Sequence, residues 1–112
     1  MEVQSVFELE KEYTPKWNGN RKAKDGFKVI IQRLTPVEKS SCFVLNVNGK
    51  TEADLGRFVS LGVPRFVGQL KFNSREIKNG ADVCNTPGLD ELFAELSQEV
   101  VIYNRTPDLK NS

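Results

Sequence analysis

The sequence predicts an α+β fold: an N-terminal β-hairpin with a long basic loop, packed against a small C-terminal helical bundle. Three observations carry this reading. VFELEKEY alternates apolar and polar residues, and FKVIIQRL is rich in β-branched and aromatic ones; both patterns suit strands. TPKWNGNRKAKDG, between them, holds the turn pairs Asn18-Gly19 and Asp25-Gly26. Farther on, Leu89 to Tyr103 carries an apolar stripe at helical spacing.

The elements follow in chain order. In the first strand Phe7, Leu9 and Tyr13 share one face with Lys11, and Glu8, Glu10 and Glu12 take the other. In the second, from Phe27 to about Leu34, Phe27, Val29 and Ile31 point one way and Ile30 the other. Thr35, Pro36 and Glu38 form a helix-start signature. It predicts a helix from Pro36 to about Leu45. SCFVLNV also has strand character before the Asn48-Gly49 turn, so a third strand stays open for 36–47. A helix is expected from about Glu52, capped by Thr51 with Asp54, until Gly62 and Pro64 interrupt it. Phe66, Val67 and Leu70 suggest a short helix, and REIKNGADV a loop or small two-stranded turn at Asn79-Gly80. The last helix is expected to be capped by Thr86, with Pro87 in its first position. Leu89, Leu92, Phe93, Leu96, Val100 and Tyr103 build its inner side, and Asn104 and Pro107 stop it.

The 112 residues suit one domain. A chain of this size buries roughly two thirds of its unfolded surface, enough for a core without metal or disulfides. The expected division is a domain over 1–106 and a mobile tail over 107–112. The net charge of +1 removes charge excess as a reason to expect nucleic acid. No apolar run approaches the roughly twenty residues of a membrane span, and MEVQSVFELEKEY does not read as a signal peptide. Cytoplasmic residence is expected, or incorporation in a virion made there.

Chemistry is sparsely signposted. The absence of histidine removes histidine bases, triads and His-containing zinc sites. Cys42 and Cys84 form no paired metal motif and read as reduced thiols. Glu91, Glu95 and Glu99 fall on one helix face, but no nucleophile or second ligand set accompanies them. NGNRKAKDG lacks the ending of a phosphate loop. No enzyme activity and no cofactor is expected.

Two charged features remain. From Thr14 to Lys28 the chain carries Lys16, Arg21, Lys22, Lys24 and Lys28 around Trp17, against one acid, Asp25. The segment from Pro15 to Asp25 reads as a mobile arm that a partner orders. Glu91, Glu95 and Glu99 supply the opposite sign on the last helix. Opposed charges steer and orient protein association, so Trp17, Arg21, Lys22, Lys24, Lys28, Glu91, Glu95 and Glu99 are the protein-binding candidates. Equally, the acids can simply face water and the bases solubilise a loop. A third reading sets the basic 16–28 arm on phosphates, with Trp17 stacked on a base, as in a small nucleic-acid-binding regulator.

The order REIKNGADVCNTPGLDELFAELSQEVVIYNRTPDLKNS resembles small tailed-phage morphogenesis proteins. The similarity rests on Ile77 with Asn79 and Gly80, the Thr86-Pro87 helix start, the acidic Leu-rich helix from Leu89 to Tyr103, and Lys110 to Ser112. FKVIIQRLTPVE resembles their strand-to-capped-helix opening. The tail assembly chaperone or tail accessory class is the nearest. The resemblance implies a non-catalytic phage or prophage virion-assembly adaptor. Its implied partner is a phage structural or assembly protein, the tape-measure protein among them; a homo-oligomer is also compatible. The chain departs from that class in its basic hairpin arm and in lacking a visible frameshift extension.

Overall fold

The α+β prediction matches the architecture. The structure, a computed structural model, describes residues 1–5, 8–105 and 109–111. Its main sheet is antiparallel, in the order β2 (Glu10–Tyr13), β3 (Lys28–Gln32), β6 (Arg65–Val67). The β2–β3 pairing sets Glu10 opposite Gln32 and Tyr13 opposite Val29. The hairpin is therefore the expected one, with shorter strands. Strand β3 is central, and Val29 and Ile31 are wholly buried. Ile30, expected on an outward face, is buried too; it sits between Glu12 and Arg65 in the ladder. Leu9 is exposed rather than inward, because β2 begins only at Glu10. Phe7 lies outside the described residues.

Helix α1 (Pro36–Ser41) starts as its sequence dictates. The Glu38 N–H donates to Thr35 Oγ1 (3.1 Å), and the Thr35 N–H donates to Glu38 Oε1 (2.9 Å). This capping box satisfies two donors the helix would otherwise strand. The helix stops four residues before the expected end. The β-rich run after it forms β4 (Phe43–Leu45), which pairs with β5 (Thr51–Ala53). Both readings of 36–47 thus held in part, but the strand joins a separate hairpin rather than the main sheet. Thr51 belongs to β5, so the cap of α2 (Leu55–Gly62) is Asp54, whose Oδ1 accepts from the Arg57 N–H at 3.0 Å.

Residues 64–72 are not a short helix. They form β6 and β7 (Leu70–Phe72), separated by Gly68, whose φ of +86° breaks helical geometry. Strand β7 turns into β8 (Arg75–Ile77) through Asn73 and Ser74, both at positive φ. Such a pair suits a tight hairpin. Asn79-Gly80 is not that turn. Asn79 caps α3 (Gly80–Cys84), accepting from the Asp82 N–H. A Cβ on Gly80 would collide with the Val59 carbonyl oxygen, so α2 and α3 pack closely because this residue is glycine.

The final helix, α4, runs Asp90–Tyr103. Thr86 does not cap it; its hydroxyl donates to the Asp82 carbonyl at 2.7 Å and closes α3. Thr86 and Pro87 precede Gly88, at φ +96°, in the turn between helices. The apolar stripe packs as predicted. Leu89, Leu92, Leu96 and Val100 are buried; Phe93 and Tyr103 are half-buried at its margins. Together with Val29, Ile31, Phe58, Val59 and Ile77 they share one core. Asn104 ends the helix and locks it to the sheet: its side chain accepts from the Leu34 N–H (2.7 Å) and donates to the Gln32 carbonyl (3.1 Å). The expected mobile tail holds a strand, β9 (Leu109–Asn111), paired with β1 (Val3–Ser5).

Candidate functional site

The basic arm folds onto the body. After β2 the chain makes a short 3-10 segment at Trp17–Lys22, with Asn18 and Gly19 in the left-handed region. Buried Asn20 ties its two ends together. Its amide donates to the Pro15 carbonyl (2.9 Å) and the Phe27 carbonyl (2.8 Å), while its oxygen accepts from the Phe27 N–H (2.8 Å). Pro15 is itself fully buried. The mobile arm expected over 15–25 is therefore a tethered loop. Backbone groups of Thr14, Pro15 and Phe27 find side-chain partners within the molecule.

Glu95 supplies the second tether. Its carboxylate accepts from the Tyr13 hydroxyl (2.6 Å), the Lys16 N–H (2.7 Å) and the Trp17 N–H (3.1 Å). Charge-assisted bonds of this kind are stronger than neutral ones. Burial, and then the Glu95 carboxylate, push the Tyr13 phenol well above its ordinary pKa. Glu95 is thus half-buried and joins β2, the loop and α4.

The remaining candidates separate. Glu99 pairs with Lys11 at 3.7 Å, and Glu91 is exposed. Trp17 is half-buried, its ring 6.4 Å from Phe27 and 6.1 Å from Phe72. The Arg21 Nε donates to the Thr14 carbonyl, and its guanidinium lies over Tyr13. Lys22, Lys24 and Lys28 are exposed, and none joins an ion pair among the described residues. Two of the three acids that the sequence offered to a partner, Glu95 and Glu99, are therefore engaged within the molecule, whereas the lysines of the loop are not paired with them.

A shallow cleft of about 350 Å³ lies beside the loop, lined in part by Trp17, Phe27, Leu70, Asp25 and Lys71. Charges of both signs line it, and no cluster of metal-ligating side chains occurs among the described residues. No helix among them is long and apolar enough to cross a membrane.

The surface that sequence reasoning missed is the β4–β5 hairpin. Phe43, Val44 and Leu45 are 46%, 49% and 75% exposed, and Val47 at the tip is fully exposed. Single exposed apolar residues are ordinary, but a run of them marks a contact surface. The hairpin is anchored at its base. Phe43 meets Phe58 edge-to-face at 5.7 Å, and the Asp54 N–H donates to the Cys42 carbonyl. Its tip is shaped by Asn46, whose side-chain oxygen accepts from the Asn48 and Lys50 N–H groups. The strand character of SCFVLNV and the Asn48-Gly49 turn were the available signals; neither says that these apolar side chains stay exposed. No family model, curated protein or solved structure matches the chain.

Proposed function

We propose that this protein is a non-catalytic adaptor that binds another protein through the β4–β5 hairpin, in the setting of phage virion assembly that its sequence resemblance suggests. One observation carries the reading: Phe43, Val44, Leu45 and Val47 stand exposed on a hairpin whose shape is nonetheless fixed at base and tip. A formed, apolar hairpin presents contact area with little ordering left to complete on binding. Hot spots of interfaces favour such packed apolar and aromatic anchors.

The test is capture of tail and head components from the native phage-producing host, with Leu45→Asp and Val47→Asp beside the unmodified chain. A morphogenesis protein retained by the unmodified chain and lost by the folded variants supports the reading. Retention by the variants overturns the hairpin as the contact surface. The nucleic-acid reading keeps one specific support, the unpaired exposure of Lys22, Lys24 and Lys28. Salt-sensitive micromolar binding to DNA or RNA, abolished by replacing these three lysines, would favour it instead.

A further inference from the structure

We infer that the free edge of β4 pairs with β4 of a second copy of this chain, antiparallel about a two-fold axis at Val44. The inference rests on the hairpin being a binding surface: the β4 edge takes the second copy, and the exposed side chains of Leu45 and Val47 remain for the other protein.

The backbone fixes the register. In an antiparallel ladder, residues alternate between pairs that exchange both hydrogen bonds and pairs that exchange none. The Asp54 N–H donates to the Cys42 carbonyl at 2.6 Å, and the Asn46 N–H donates to the Lys50 carbonyl at 2.8 Å. Pairs 42/54 and 46/50 are therefore bonded pairs, and by alternation so is Val44 with Glu52. Phe43 and Leu45 must then turn their N–H and C=O groups away from β5. No other strand pairs with β4 among the described residues. A two-fold at Val44 sets Phe43 opposite Leu45 of the second copy, so the four outward groups of each strand meet complementary groups. Val44 faces its own counterpart in a non-bonded pair, where side chains approach most closely.

The side chains agree. Lysine, proline and inward charge are among the devices that guard natural edge strands against self-pairing. Phe43, Val44 and Leu45 carry none of these three, so no like charges meet across the axis. By contrast β5 carries Glu52. Self-pairing turns the two-stranded hairpin into a four-stranded sheet.

The experiment is sedimentation of the full chain over a wide concentration range, beside Val44→Lys, Val44→Glu and their equimolar mixture. The unmodified chain should dimerise reversibly. Each charged variant alone should dissociate at least about tenfold more readily, since like charges meet at the axis. The mixture should restore dimer as the lysine–glutamate heterodimer, which only a 44-to-44 register explains. A monomeric unmodified chain at the highest concentration overturns the inference, as does dimerisation untouched by either variant. In both cases a captured assembly protein, lost from Leu45→Asp, would leave the proposed function standing without self-pairing. Circular dichroism of each variant guards against loss of fold; a Val44→Thr variant that still dimerises rules out a mere packing defect.

Discussion

The loop over 14–27 and the hairpin over 43–53 are both turn-rich excursions between core elements, and they meet opposite fates. The loop looks like the free arm, with four bases and a tryptophan. Yet Asn20 and Glu95 take up its backbone groups, and Trp17 leans on Phe27 and Phe72. The hairpin looks like core, with Phe43, Val44, Leu45 and Val47 in one short run. Those side chains remain exposed. Polarity of sequence therefore says less about attachment than where buried acceptors and donors lie. A single buried Asn outweighs four basic surface charges, because an unpaired buried polar group costs more than a surface charge gains.

The contrast can be broken first in the core that supports both regions. Leu92→Ala should destabilise by about 2–5 kcal/mol, since a wholly buried leucine leaves a cavity. Asn20→Ala comes next, at about 2–3 kcal/mol, because it strands the Pro15 and Phe27 backbone groups. Chemical denaturation reads both. A loss under about 0.5 kcal/mol for Asn20→Ala, the scale of an ordinary surface change, would mean the loop is not tethered as described.

Tyr13→Phe gives a smaller effect, visible in its pH dependence. The native Tyr13 phenol titrates above its unfolded value, so the native state holds that proton longer. Its contribution is fully present below about pH 10 and falls as pH rises beyond that point. Denaturation of the unmodified chain should weaken more steeply above about pH 10 than that of Tyr13→Phe. Parallel curves would remove the Tyr13–Glu95 bond from the account. The smallest change is predicted for Leu45→Ser, within about 0.5 kcal/mol in the dilute monomer. A clearly larger loss would make the hairpin part of the core.

Legibility in the sequence followed the range of the interactions. The capping box of Thr35 and Glu38 and the stripe from Leu89 to Val100 were readable, because their causes lie within a few residues of one another. The two-stranded opening was readable from alternation. The β6–β7 region was not, since Phe66, Val67 and Leu70 share helical spacing by coincidence and Gly68 decides otherwise. Thr86-Pro87 read as a helix start because Thr86's actual acceptor, Asp82, lies in the preceding helix. Of the candidate site, Glu95 was picked for the wrong surface. Its four-residue spacing from Glu91 and Glu99 suggests one solvated face, whereas its acceptance of three donors depends on residues some eighty positions away.

Amide hydrogen exchange, resolved by residue at low and high protein concentration, tests the contrast most directly. The account predicts that the Lys16, Trp17 and Phe27 amides are protected at both concentrations, because Glu95 and Asn20 hold them in the monomer. The Phe43 and Leu45 amides should exchange freely when dilute and slow on concentration, as the β4 edge is covered. Lys16 and Trp17 amides exchanging as freely as open chain, or Phe43 and Leu45 amides indifferent to concentration, would contradict it.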